Sequence, residues 1–171
     1  MTGPLRPQLW VFRPDGTPLC DALADGRQVE KTCVLDAGGT HALLAGDWVA
    51  QHANPYAFYL QRLNNPGQVI PIALGETKSG TLEMLATADT YGFNGTSGDQ
   101  VVVRMLRTAT LPSGVDFWPR VRVYRQDGSE LCSAFGTLQA EATCALDVTG
   151  AYTILASNQQ GIGSYDLSIQ Q

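Results

Sequence analysis

Apolar and polar side chains alternate along several short stretches of the chain, a pattern typical of strands with one buried face. In residues 120–123 two valines alternate with two arginines, and in residues 165–170 Tyr, Leu and Ile alternate with Asp, Ser and Gln. Residues 101–106 are a further apolar run that predicts a strand. No long window places apolar residues at helical spacing, so the pattern predicts antiparallel β-structure.

Glycine-containing pairs predict tight turns between these stretches. Asp15-Gly16 and Asp127-Gly128 lie where a hairpin needs a positive φ, which glycine tolerates. Gly98-Asp99 is expected to lead into the strand over 101–106. Asn94-Gly95 is also predicted to be a turn, although with Thr96 it is formally a glycosylation sequon.

The chain contains an internal repeat. Residues 8–20 recur as residues 120–132 without a gap, residues 30–36 as 141–147, and residues 55–61 as 164–170. We interpret this as one complete repeat over residues 65–171 and only the second half of another over residues 1–64.

The repeat also relates the four cysteines to one another. Cys20 corresponds to Cys132 and Cys33 to Cys144, which favours disulfides within each copy, Cys20–Cys33 and Cys132–Cys144, over four free thiols. Each bond would close a loop of about 13 residues, worth about 3 kcal/mol in the chain-entropy account. Disulfides persist in oxidising compartments, so we expect an exported protein, extracellular or at the cell surface.

Composition and charge exclude some classes of partner. Charged residues make up 16% of the chain, and its net charge of -5 opposes the positive field that nucleic acid requires. No apolar run is long enough to span a membrane. The first residues lack the features of a signal peptide, so we expect the chain to be part of a larger precursor.

Several motifs resemble the bacterial pre-peptidase C-terminal domain. They are Pro71-Ile-Ala-Leu-Gly75, Asp89-Thr-Tyr-Gly-Phe93, Gly98 to Met105, and Gly150-Ala-Tyr-Thr-Ile154. The likeness covers residues 65–171, whereas residues 1–64 resemble only the second half of such a domain.

The resemblance implies an all-β, antiparallel, jelly-roll-like β-sandwich in tandem, found on secreted proteins beside protease or glycoside hydrolase domains as a non-catalytic accessory module. Some relatives bind insoluble polymers or calcium. Thr87 stands where many relatives carry Glu, so calcium at Asp89 is open but unsupported, and no cofactor or metal is expected.

No catalytic constellation is visible, so the chain is predicted not to be an enzyme. A Gly-x-Ser-x-Gly elbow is absent from the sequence. His41 takes the position that Tyr152 has in the other copy, which favours a packing role, and His52 lies in a polar loop without a second ligand nearby in sequence.

Aromatic residues are the better binding candidates, because flat polymers stack on exposed rings. Trp10 corresponds to the charged Arg122 and Tyr59 to Ser168, so both are predicted to face outward. Together with Trp118 they would form a platform for a polysaccharide or a fibrous protein. The alternative is that Trp10 and Tyr59 pack against the neighbouring repeat.

The half repeat itself favours a second class of function. Strands without their first half leave a sheet edge and an apolar face to be covered. Another copy of the chain could cover them and give dimers or filaments, or the half repeats could pack together within one monomer. The expected partner is therefore an extracellular polymer or another copy of the chain.

Overall fold

The computed structural model describes residues 6–49, 55–111 and 115–171. Across these residues every regular element is a β-strand. None of the described residues belongs to a helix that could cross a membrane. The chain divides into two compact units, Met1–Tyr56 and Ala57–Gln171.

The first unit is a three-stranded antiparallel sheet. It consists of β1 (Pro7–Phe12), β2 (Pro18–Leu23) and β3 (Ala42–Asp47), in the spatial order β2-β1-β3. Its described residues, 6–49 with 55 and 56, include none that is fully buried. This unit therefore has no closed core of its own within that part of the chain.

The second unit is a sandwich of two sheets. One has the order β10-β7-β12-β5 and the other the order β4-β6-β11-β8-β9. All pairings are antiparallel except β4 with β6. The strands are β4 (Ile70–Pro71), β5 (Thr77–Leu82), β6 (Ala88–Gly95), β7 (Gln100–Thr110), β8 (Trp118–Arg125), β9 (Glu130–Phe135), β10 (Gln139–Ala145), β11 (Gly150–Gln160) and β12 (Gly163–Gln170).

The core of the sandwich follows the alternation in the sequence. Every second residue of β10, of β12 and of the first half of β7 is buried, because successive side chains of a strand point to opposite faces. The opposite sheet contributes the valines of β8 and the aromatic residues of β6. The fold is thus the predicted all-β, antiparallel, jelly-roll-like sandwich, with buried core residues that include Val101, Val103, Met105, Val121, Val123, Ile154, Tyr165, Leu167 and Ile169.

Both predicted Asp-Gly hairpins are present and have the same geometry. Gly16 and Gly128 have φ values of 81° and 85°. In each turn the amide of the glycine donates to the carbonyl oxygen three residues earlier, at Arg13 or Arg125. The left-handed conformation follows a type I turn, which explains why glycine occupies this position.

Two disulfides are present, Cys20–Cys33 and Cys132–Cys144, the pairs that the repeat predicts. Cys132 is on β9 and Cys144 on β10, so this bond joins the two sheets of the sandwich at their edges. Cys20 is on β2, whereas Cys33 lies in a segment outside any strand.

The pairing of β1, β2 and β3 has the same register as that of β8, β9 and β11. Val11 pairs with Cys20 and Leu43, just as Val123 pairs with Cys132 and Ile154. Even the bulge is shared, since it follows Val11 in one hairpin and Val123 in the other. The three strands of the first unit therefore match one part of the five-stranded sheet, residue by residue.

Residues 55–61 differ from their counterpart in the repeat. Residues 164–170 lie in β12, which pairs with both β5 and β7, whereas residues 55–61 form no strand. A strand needs neighbours for its backbone hydrogen bonds, and the described residues of the first unit contain no counterparts of β5 and β7.

Candidate functional site

Residues 30–36, which we call the acceptor segment, are held in place by two side-chain links. Cys33 forms the disulfide to β2. At the other end, Arg13 Nε donates to both carboxylate oxygens of Asp36 at 3.0 Å, and Nη2 donates to Oδ2 at 2.8 Å. These hydrogen bonds lower the pKa of Asp36 and raise that of Arg13.

The same links hold the counterpart segment in the complete sandwich. Arg125 Nε donates to both oxygens of Asp147 at 2.9 Å, and Nη2 donates to Oδ2 at 2.7 Å. The disulfide Cys132–Cys144 fixes the middle of this segment. The acceptor segment is therefore anchored as residues 141–147 are anchored, although it forms no strand.

What differs is the neighbouring strand. Residues 139–145 pair with β7, and Leu146 exchanges backbone hydrogen bonds of 2.8 Å with the turn at Gly98-Asp99. Leu146 is consequently only 2% exposed. Its counterpart Leu35 is 59% exposed. The acceptor segment thus has the anchors of an edge strand, but it pairs with no strand among the described residues.

The inner face of the three-stranded sheet is open in the same way. Leu43 is 41% exposed, whereas its counterpart Ile154 is completely buried. Leu9 and Val11 are only half-buried, and their counterparts Val121 and Val123 form part of the core. One apolar face of a sandwich is present here without the opposite sheet within the described residues of the unit.

Lys31 is a residue of this site that the pattern of hydrophobic and polar residues alone does not single out. In an extended chain Lys31, Cys33 and Leu35 share one side, and the counterpart of Lys31 is Ala142, which faces the core at 5% exposure. The signal was present in the aligned segments, Glu-Lys-Thr-Cys-Val-Leu-Asp and Glu-Ala-Thr-Cys-Ala-Leu-Asp. It shows a cation where the complete copy has a methyl group.

The three aromatic candidates lie on different elements. Trp10 is on β1 and half-buried, Trp118 begins β8 and is half-buried, and Tyr59 is 38% exposed. The Tyr59 hydroxyl donates to the carbonyl oxygen of Ala88 at 3.1 Å, which fixes its ring beside β6. Trp10 belongs to the first unit and the other two to the second, so a shared platform remains a prediction.

Tyr59 lines a shallow depression of about 680 Å³ on the second unit. One wall is the segment that carries Tyr59 and Gln61, and Gln61 Oε1 accepts a hydrogen bond of 3.4 Å from Thr90. Amide, hydroxyl and carboxylate groups are therefore close to an exposed ring. The lining comprises Tyr59, Gln61, Gly67, Gln68, Val69, Ile70, Ala88, Asp89 and Thr90.

Asp89 belongs to a hydrogen-bonded group that reaches into the core. The buried Tyr165 hydroxyl donates to Asp89 Oδ2 and lies 2.9 Å from the Tyr91 hydroxyl. The Thr87 hydroxyl is turned away and donates to the carbonyl oxygen of Met84 at 2.8 Å. One carboxylate already bonded to a phenol does not match the several oxygen ligands of a calcium site.

Within residues 6–49, 55–111 and 115–171, no three His, Cys, Asp or Glu side chains are grouped to hold a metal ion. The His41 ring is half-buried, with Nδ1 at 3.3 Å from the carbonyl oxygen of Gly39. His52 lies outside the described residues.

These features define a class, a disulfide-linked antiparallel β-sandwich preceded by a sheet with one open face. The pre-peptidase C-terminal domain of the collagenase from Bacillus anthracis has a similar structure. The match covers 63% of this chain and 99% of that domain, with a TM-score of 0.50 and 21% identity. The likeness shows that the fold is similar to that of a pre-peptidase C-terminal domain.

A second solved structure matches less well. It is CorA, a surface-associated copper-binding protein of Methylomicrobium album BG8, with 6% identity and a TM-score of 0.47 over 60% of this chain and 98% of the other. No protein-family profile matches the chain, and no curated protein matches it in sequence.

Proposed function

We propose that the chain is a non-catalytic accessory β-sandwich module of an exported protein, and that its N-terminal unit joins it to another polypeptide by accepting strands. In this proposal residues 1–64 are a second-half copy of the repeat that is complete in residues 65–171. The observation that carries it is the exposure of Leu35, 59% against 2% for Leu146, in a segment that is anchored in the same way.

The physical basis is the addition of a strand to an open edge. Such an edge offers unpaired N–H and C=O groups, and an incoming strand gains both backbone hydrogen bonds and burial of alternate side chains. The anchors at Cys33 and Asp36 reduce the conformational entropy that the acceptor segment would lose on binding. The two disulfides support an extracellular or cell-surface location.

A fusion protein tests whether the N-terminal unit is an acceptor. Residues 65–112 are joined directly ahead of residue 1, which reproduces the spacing between the two halves of the complete repeat. The fusion also carries Lys31→Ala, so that the acceptor segment matches residues 141–147 at this position. We expect hydrogen exchange of the amides in residues 30–36 to slow at least about tenfold relative to the unfused Lys31→Ala chain.

The control fusion carries Val101→Asp and Met105→Asp in the added copy only. These side chains face the core in the complete sandwich, so the altered strand cannot bury them and should give no protection. Equal exchange in the fusion and in the unfused chain would contradict the proposal, provided that the second unit keeps its own protection.

Polymer binding is a second candidate, favoured by the exposed ring of Tyr59 beside amide and hydroxyl groups. Sugars and fibrous proteins would bind by stacking on this ring and hydrogen bonding to its neighbours. Tyr59→Ala should reduce the fraction of the chain retained on insoluble polysaccharide or fibrous protein, whereas Tyr56→Ala should not. Trp10→Ala and Trp118→Ala extend the test to the other two rings. If none of the three substitutions lowers the fraction of the chain retained on the polymer, a common platform is excluded.

A further inference from the structure

The charge of Lys31 sets a requirement on any strand that pairs with the acceptor segment. We infer that this strand comes from a polypeptide of different sequence and carries a carboxylate opposite Lys31, with an apolar side chain two residues before it and another two residues after it. The inference rests on the proposed function and adds the chemistry of the partner.

The register of the complete sandwich identifies the position concerned. There Ala142 lies opposite Val103 of β7, and both side chains are buried. In the same register Lys31 would lie opposite the residue in the place of Val103. An ammonium buried opposite a valine would lose its hydration without a compensating partner, whereas a carboxylate supplies both charge and hydrogen bonds.

Neighbouring pairs specify the rest of the partner strand. Val101 and Met105 lie opposite Cys144 and Ala140, so the corresponding positions should be apolar. The predicted sequence is therefore apolar, any, acidic, any, apolar.

A second copy of this chain fits these requirements poorly. Its own β7 has Val103 at the decisive position, and β7 already pairs on one side with β10 and on the other with β12. Each copy of the chain would contain one first half of the repeat and two second halves. Pairing between copies would therefore leave one second half in every copy uncovered. The structure thus favours a partner with its own first-half strand.

Binding of synthetic peptides to the full chain tests the inference. Fluorescent peptides with the sequence of residues 99–110 carry Val, Asp or Lys at the position of Val103, and fluorescence anisotropy gives their affinities. We expect the Asp peptide to bind about tenfold more tightly than the Val peptide, and the Lys peptide more weakly than both. In the Lys31→Glu chain the Lys peptide should bind most tightly.

Arg27→Glu is the matched control, because it makes the same charge change on an exposed residue of the same unit. It should leave the order of the three peptides unchanged. The inference would be overturned if the three peptides bound with equal affinity, or if Lys31→Glu did not reverse their order. It would also be overturned if the unmodified chain associated with itself at micromolar concentration and Lys31→Glu did not change that association. If the amides of residues 30–36 are protected in the Lys31→Ala fusion but the peptide affinities are equal, only the charge requirement is refuted. If these amides are not protected in the fusion, the proposal that the N-terminal unit accepts strands is refuted.

Discussion

Gly80 shows how one core side chain restricts the residue opposite to it. Gly80 pairs with Tyr165, and a Cβ atom at Gly80 would lie 2.5 Å from the tyrosine ring. The ring cannot easily retreat, because it is buried and its hydroxyl bonds to Asp89 and Tyr91. Glycine is therefore required here for space, not for backbone conformation.

Gly80→Ala should destabilise the second unit by about 1–3 kcal/mol, the usual cost of overpacking a closed core. Urea unfolding followed by tyrosine fluorescence measures the change. Gly26→Ala is the control, since nothing lies within 4 Å of a Cβ at that position. If Gly80→Ala lowers the unfolding free energy no more than Gly26→Ala does, the Tyr165 ring can move to make room.

Tyr165 should also make the fold sensitive to alkali. Burial raises the pKa of this phenol well above its ordinary value, and its hydrogen bonds to Asp89 and Tyr91 act in the same direction. An unfolded tyrosine ionises near pH 10, so above that pH the unfolded state releases a proton that the folded state keeps. The stabilisation is complete below about pH 10 and decreases as the pH rises further.

Tyr165→Phe removes this dependence together with the hydroxyl group. The unfolding free energy of the variant should fall less steeply between pH 10 and 11, by up to about 1.4 kcal/mol per pH unit. At neutral pH the variant should be less stable by about 1 kcal/mol, because the hydrogen bond to Asp89 is lost. Urea titrations across this range check both effects, and parallel pH profiles would contradict the assignment.

The hairpins and disulfides are the elements that the sequence predicts best, because their chemistry is local. The Asp-Gly turns, the alternation in residues 165–170 and the matched cysteines all appear as expected. The alternation predicted for residues 120–123 does not hold for Arg122, which is only 8% exposed and is buried like the valines beside it. The repeat adds long-range information, since it relates two segments that must adopt the same pairing.

Elements that depend on distant neighbours were harder to predict. Residues 55–61 match the sequence of a strand through the repeat but form none, and the described residues of the first unit contain no counterparts of β5 and β7. The sequence predicts a turn at Asn94-Gly95, but this prediction is wrong: both residues belong to β6, and the turn follows at Thr96 to Asp99. Gly95 is small because a Cβ there would lie 2.2 Å from the Leu146 side chain, a contact invisible to local pattern analysis.

The two disulfides should have different roles at the level of elements. Replacing Cys132 and Cys144 by serine removes the link between β9 and β10 and should lower the unfolding free energy of the second unit by about 3 kcal/mol. Replacing Cys20 and Cys33 should leave that unit unchanged and instead speed hydrogen exchange in residues 30–36. Urea unfolding combined with exchange measured by mass spectrometry separates the two outcomes, and equal effects on both units would contradict them.

At the scale of the whole molecule, the two units differ in how much core they possess. Residues of β7, β8, β11 and β12 reach complete burial, whereas no described residue of the first unit does. Buried apolar area is the main source of stability, so the first unit should open far more often than the second.

Hydrogen exchange of the complete chain should therefore show two classes of amide. Those of β1 and β3 should exchange at least about a hundredfold faster than those of β7 and β12. If the amides of the first unit exchange as slowly as those of the sandwich, the isolated chain already covers the open apolar face of the three-stranded sheet.

The disulfide between the sheets also has a mechanical consequence. When a polypeptide is pulled from its ends, each unfolded residue adds about 3.5 Å of length, but residues inside a closed covalent loop add none. Residues 132–144 are such a loop, and residues 20–33 are a second one. Force spectroscopy should therefore record an extension about 40 Å longer for each disulfide that is reduced before pulling.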